Sequence, residues 1–168
     1  MKLKYFYKIK NNKLIKGTGY KIPDSFIEYD KNNPPQEFII LQKQELFEKA
    51  KLEKISEINK IAQEKIVSGF ISNALGFEHL YQSEPTDQIN LLGVVQTAQL
   101  TNESQLFKCS PDNGQTWEYK EHTPEQITQV LKDGKDIKIA ILEKANQLKQ
   151  QVKQAATIEE INTITWGE

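Results

Sequence analysis

Residues 43–67 contain neither proline nor glycine, and this stretch constrains the fold of the 168-residue chain more than any other segment. Apolar residues recur in it at spacings of three and four, the periodicity of one helix face. The members of this stripe are Leu52, Ile55, Ile58 with Asn59, Ala62 and Ile66. Six lysines and five glutamates over residues 43–65 lie between them. Because the stripe is as narrow as a coiled-coil seam, the sequence predicts a long helix that packs along another helix, within one chain or across chains.

Short strand signals alternate with helix starts through the second half of the chain. Residues 70–71 and 76–81 predict a pair of strands around a polar turn, and residues 106–109 and 116–119 predict a hairpin around the turn-forming loop 110–114. Between these pairs, Ser83, Glu84 and Pro85 predict the start of a helix that should be the most buried of the chain, because its apolar stripe is broad.

A second long helix is predicted after Thr123, where Pro124 and Gln126 complete a capping box. Its apolar stripe is the most regular in the chain and consists of Ile127, Leu131, Gly134, Ile137 with Lys138, Ile141, Ala145, Leu148 and Val152. A glycine at such a position costs about 1 kcal/mol relative to alanine. Gly134 therefore predicts a bend or a close approach of another element. A further capping box at Thr157 predicts a short helix that ends near Trp166.

The first forty residues predict a small β unit. Lysines alternate with Leu3, Tyr5, Tyr7 and Ile9, the period of a half-buried strand. Asn11 and Asn12 then form a turn, a return strand begins near residue 14, residues 17–19 form a second turn, and residues 26–29 form a third strand. The apolar residues 38–41 lead out of the proline-containing break that follows.

These elements together predict an α+β fold class. The expected organisation is an N-terminal β unit over residues 1–41, a long helical connector over 42–68, and a C-terminal α+β domain of short β-hairpins packed with helices over 69–168.

Composition narrows the range of partners. The 22 basic residues are all lysines, and with 23 acidic residues they give a formal charge of -1. Without arginine forks or net positive charge, nucleic acid is not an expected partner. No run reaches the roughly 18 apolar residues of a membrane-spanning helix, so no membrane partner is expected. No apolar run of signal-peptide length follows the N-terminus, so we expect a mature cytoplasmic product. Residues 1–21 carry seven lysines and no acid, which suits either an acidic partner or a solvated strand face.

No reactive constellation is evident, so we expect no catalytic residues, no cofactor and no metal site, and we do not expect an enzyme. His79, His122 and Cys109 do not stand at metal-ligand spacing. A Cys109–His122 nucleophile and base pair is sterically conceivable, but no neighbour in the sequence lowers the pKa of the thiol. Trp117 is expected to cover the core, whereas Trp166 could dock either on its own domain or on another chain.

The second half of the chain resembles a domain of unknown function found in bacteriophage tail-fibre and tail-fibre-assembly proteins. The resemblance covers about residues 53–166 and consists of a strand pair, a Gln/Asn-Leu helix, a tryptophan-bearing hairpin, a capped helix start and a closing Ala-Thr-x-Glu-Glu stretch. The residues that carry it are Gln88, Asn90, Leu91, Trp117, Thr123, Gln126, Ala156, Thr157, Glu159 and Glu160. The layout of a small leading domain before this part is similar to that of tail-fibre assembly chaperones. The resemblance implies no enzyme, no cofactor and no functional residue.

The resemblance leads us to expect a phage or prophage tail-associated protein that binds a tail fibre or another tail protein, as an assembly chaperone or as a small structural component. It would act in the host cytoplasm during assembly or in the virion tail. Its long helices could also form a homodimer or a homotrimer. The predicted partner-binding residues are Leu52, Ile55, Ala62, Ile66 and Trp166. The alternative is a surface-recognition module that binds a host glycan or receptor through Tyr5, Tyr7 and Tyr20 of the N-terminal β unit.

Overall fold

The computed structural model describes residues 2–167 and confirms the α+β fold class: an N-terminal β-sheet, a long helix, and small β-hairpins packed with helices. The strands are β1 Lys4–Lys10, β2 Lys13–Gly19, β3 Ile27–Tyr29, β4 Phe70–Ser72, β5 His79–Tyr81, β6 Gln105–Cys109 and β7 Glu118–His122. The helices are α1 Gln36–Val67, α2 Pro85–Thr101, α3 Pro124–Gln154 and α4 Ile158–Thr163.

Contacts group the residues into two compact units. The first contains the residues up to Lys54 together with Ala155–Thr163, and the second contains Ile55–Gln154 and the residues from Ile164 onward. The boundary falls inside α1. The sequence predicted three parts that differ in the type of their elements. Grouping by contacts does not test that division, so it stays a prediction.

The N-terminal sheet is antiparallel, with the strand order β2-β1-β3. Asn11 and Asn12 form the predicted turn, and both have the positive φ angles, 52° and 59°, that the tight hairpin turn requires. The second predicted turn is wrong, because Gly17 and its neighbours continue β2. A Cβ at Gly17 would lie 2.6 Å from Cε2 of Phe6, so the glycine allows the aromatic ring to lie directly on the neighbouring strand.

The opposite face of this sheet forms the core of the first unit together with the start of α1. The buried members are Tyr7, Leu14, Phe38 and Leu41, with Ile9 and Tyr29 packed against them. The helix was predicted to begin at Lys43, but it begins at Gln36, immediately after Pro35. Residues 38–41 therefore belong to the helix rather than to the β unit, and burial of Phe38 and Leu41 against the sheet explains the earlier start.

The second unit is built around the two predicted hairpins. Each forms an antiparallel pair, β4 with β5 and β6 with β7. Leu80 and Ser110 exchange two backbone hydrogen bonds, of 2.8 and 2.9 Å, and so join the end of β6 to β5. Helices α2 and α3 contribute to the core cluster, whose buried members are Phe70, Tyr81, Leu91, Val95, Ala98, Cys109, Ile127 and Val130.

Helix α3 begins as predicted. The backbone amide of Thr123 donates to Gln126 Oε1 over 2.9 Å, and the amide of Gln126 donates to Thr123 Oγ1 over 3.3 Å. The close approach predicted at Gly134 is also confirmed, because a Cβ there would lie 2.7 Å from Cζ of Phe70. By contrast, α2 is capped at Glu84 rather than at Ser83, and α4 ends at Thr163, before Trp166.

A second core cluster of this unit lies between the last part of α1 and the last part of α3. Its buried members are Ile58, Ala62, Ala145, Leu148 and Val152. The narrow apolar stripe of α1 therefore packs along another helix of the same chain over this length.

Candidate partner-binding surface

The core of the second unit encloses a cluster of polar side chains that includes Tyr81 and His122. The hydroxyl of Tyr81 and Nε2 of His122 are 2.9 Å apart, and Nδ1 of His122 lies 2.9 Å from the carbonyl oxygen of Lys120. Since a carbonyl only accepts, Nδ1 carries the proton of the neutral ring, and Nε2 accepts from the tyrosine hydroxyl. Burial lowers the pKa of His122, in spite of the opposing hydrogen bond to Lys120, and so keeps the ring neutral.

Cys109 and His79 belong to the same enclosed region. Burial raises the pKa of the Cys109 thiol, which favours the unreactive protonated form. Nδ1 of His79 donates to the carbonyl oxygen of Phe77 over 3.0 Å, while its buried Nε2 has no hydrogen-bond partner among the described residues. Because Tyr81, Cys109 and His122 are fully buried and His79 is almost so, this group has the accessibility of a packed core and not of a reaction site.

Residues 2–167 contain neither a metal-ligating cluster nor a membrane-spanning helix. No group of three or more His, Cys, Asp or Glu side chains in that range is arranged to hold a metal ion. None of the helices formed by these residues is long and apolar enough to cross a membrane.

The five predicted partner-binding residues do not lie on one surface. Leu52 is 68% exposed. Ala62 is buried in the α1–α3 cluster, with Ile55 and Trp166 packed against that cluster and Nζ of Lys144 5.6 Å from the centre of the Trp166 ring. Ile66 lines a groove formed by α1, α2 and α3. Only Leu52 therefore presents most of its side chain to solvent.

The groove lies between the last turns of α1, the first half of α2 and the middle of α3, and it has a volume of about 650 Å³. We call it the α2–α3 groove. Its apolar lining residues are Ile66, Phe70, Pro85, Ile89, Leu91, Leu92, Leu131 and Leu142. Its polar and charged lining residues are Gln63, Ser83, Gln88, Lys135 and Lys138, and Gly134 completes the wall.

Three apolar residues of this lining remain open to solvent: Ile89 is 70% exposed, Leu92 48% and Leu142 44%. Nζ of Lys138 on α3 donates to Oε1 of Gln88 on α2 over 2.9 Å, so a hydrogen bond between the two walls holds the ammonium group next to the groove. The described residues that line the groove include two lysines and no acid. The groove thus combines exposed apolar residues on its walls with a positively charged rim formed by Lys135 and Lys138.

Sequence reasoning missed this surface. The broad stripe of α2 predicted the most buried helix of the chain, and Leu91, Val95 and Ala98 are indeed buried. Ile89 and Leu92 lie on a side of α2 that stays largely open to solvent. The signal was present in their spacing of three, but a single helix does not show which of its apolar sides the rest of the chain will cover.

The three tyrosines of the alternative glycan site are not presented together. Tyr7 is buried in the N-terminal core, where its ring packs edge-on against Phe38 with centroids 5.4 Å apart. Tyr5 is half-buried and packs against Tyr29, whereas Tyr20 is exposed. A ligand on this surface would meet Tyr20 without Tyr7.

The fold and this surface define a small α+β protein with an apolar groove between its helices. The chain belongs to the family DUF4376, described as a domain of unknown function, which matches residues 49–165. Comparison with curated proteins and with solved structures yields no match. The matched segment contains both hairpins and the whole α2–α3 groove, while β1, β2, β3 and the first part of α1 lie outside it.

Proposed function

We propose that this protein is a phage or prophage tail-associated protein that binds a tail fibre, as an assembly chaperone or as a small structural tail component. The tail assignment rests on the resemblance carried by the helix starts, the tryptophan hairpin and the closing Ala-Thr-x-Glu-Glu stretch. The family that matches residues 49–165 carries no functional description, so the fibre is a proposal about the partner.

The observation that carries a binding function is the exposed apolar lining of the α2–α3 groove. Single exposed leucines are ordinary, but several that flank one concave surface mark a place where another molecule is bound. Burial of apolar surface contributes about 25 cal/mol per Å², so covering these residues gives a favourable term for binding a partner. A helix-lined groove is also a common way to bind a protein segment.

The experiment is co-expression with the C-terminal part of a tail-fibre protein encoded next to the gene, followed by affinity capture. Leu92→Glu places a charge in the groove and should abolish capture and the gain in soluble fibre. Leu100→Glu is the matched control, since Leu100 is 87% exposed on the same helix and does not line the groove. Equal capture by both variants, or no capture of fibre by the unmodified protein, would contradict the proposal.

A further inference from the structure

We infer that the α2–α3 groove binds an acidic amphipathic helix, whose apolar face enters the groove and whose carboxylates face Lys135 and Lys138. The inference deepens the proposed function and rests on it only for the identity of the protein that supplies the helix. The length of the groove, the positive charge of its rim and the exposed apolar residues on its walls each support it.

The length of the groove suits a helix of about three turns. Along α3 its lining runs from Leu131 to Leu142. At 1.5 Å per residue this span is about 16 Å, the length of a helix of about eleven residues. Leu131 supplies an apolar contact for side chains at helical spacing, and next to Gly134 the Phe70 ring takes the place of a side chain and forms part of the wall.

The charge of the rim selects an acidic partner. Lys135 and Lys138 are three positions apart on α3, which places them one above the other on one helix face. No described residue of the lining is acidic, so the positive charge of this rim is not balanced inside the groove. Carboxylates three or four positions apart on a bound helix would match the spacing of the two ammonium groups.

The exposed apolar residues on both walls favour a helix over a single alkyl chain. Ile89, Leu92 and Leu142 lie on the two walls and remain largely open to solvent. A fatty acid could fill part of the floor and place its carboxylate at a lysine, but one narrow chain cannot cover both walls. A helix is about 10 Å wide with its side chains and covers them together.

The probe is a fluorescein-labelled helical peptide with leucines at positions i, i+3, i+4 and i+7 and glutamates on both flanks. Two matched peptides accompany it: one carries lysine at every glutamate position, and one has the same composition in an order that destroys the apolar face. Fluorescence anisotropy with the complete protein should show saturable binding of the acidic helix only. Binding should weaken as the salt concentration is raised from about 50 to 500 mM.

Charge reversal on the protein tests the role of the rim. Lys135→Glu and Lys138→Glu should each raise the Kd of the acidic peptide about fivefold, and the double variant should prefer the lysine peptide. Lys132→Glu is the matched control, because Lys132 is exposed on the same helix outside the groove and should leave the Kd unchanged. All of these positions are solvent-exposed, and unchanged circular dichroism verifies that the variants are folded.

Equal affinity for the acidic and lysine peptides, absence of binding, or binding of palmitate in place of the helix would overturn the inference. A protein that binds the acidic peptide but captures no fibre refutes the tail proposal alone. A protein that captures fibre with unchanged affinity when both lysines are reversed refutes the acidic-helix inference alone.

Discussion

Replacing Gly134 by alanine tests the close packing between α3 and β4. The new Cβ would lie 2.7, 2.8 and 3.1 Å from three carbon atoms of the Phe70 ring. Movement of the ring would cost packing, because it is buried and stacks on Tyr81 with centroids 5.6 Å apart and an angle of 18° between the planes. Gly134 is thus an exception to the rule that alanine stabilises a helix.

Two opposing terms set the magnitude. Alanine is favoured over glycine in a helix interior by about 1 kcal/mol. Overpacking of a well-filled core costs about 1–3 kcal/mol. We therefore expect Gly134→Ala to lower the free energy of unfolding by about 1 kcal/mol. In a Phe70→Leu background the far end of the ring is absent, so the same change should raise the free energy of unfolding by about 1 kcal/mol.

Urea unfolding of the four proteins in this cycle measures both values. Tryptophan fluorescence is the appropriate signal, since Trp117 and Trp166, the two tryptophans of the chain, both belong to the second compact unit. If Gly134→Ala stabilises the protein by the same amount in both backgrounds, the ring does not contact this turn and the reasoning is refuted.

Three other changes have expected outcomes. Tyr81→Phe removes the hydroxyl that donates to His122 Nε2 and should lower the free energy of unfolding by about 1–3 kcal/mol in the same urea assay; no loss would show that the buried nitrogen has another partner. Burial lowers the pKa of His122 in the folded protein, so the stability contributed by the neutral ring is present above the unfolded pKa of about 6.5 and is lost as the pH falls through the lower folded pKa. Thermal melts should therefore show a Tm that decreases in acid. If His122→Gln shows the same decrease, His122 is not its cause. If the chain self-associates through Leu52, Leu52→Glu should lower the mass measured by light scattering without loss of helicity, whereas an unchanged mass excludes Leu52 from a self-interface.

Local chemistry made several elements predictable. The Asn11–Asn12 turn and the Thr123 capping box each depend on residues within four positions of one another, and both are present. Gly134 was informative because a glycine in a regular helical stripe lowers helix stability, so its presence indicates that another group must lie close to the helix. That group is the Phe70 ring.

Long-range packing decided the elements that sequence reasoning placed wrongly. Gly17 and Gly19 have the composition of a turn, but the Phe6 ring on the neighbouring strand occupies the space above them. Phe38 and Leu41 are too few to define a helix by period, and their partners Tyr7 and Leu14 are distant in the sequence. In both places a contact between strands or between strand and helix overrode a local preference.

The partner-binding surface was less predictable than the fold. The α1 stripe was correctly recognised as one that packs along a helix, and the partner that Ala62 meets is α3 of the same chain. The α2–α3 groove depends instead on which side of α2 stays uncovered and on the lysines of α3 that come to lie across from it. These residues come together only when the helices pack, so no local pattern in the sequence predicts the groove.

The continuity of α1 affects how the shared part of this protein can be excised. The family segment starts at residue 49, well inside a helix that begins at Gln36. A fragment cut at that boundary would open with amide groups whose carbonyl partners have been removed, and its first turns would fray. An added serine or aspartate cap at the new terminus satisfies one of these amides, and an expression start moved to the residues before Gln36 restores all the removed partners.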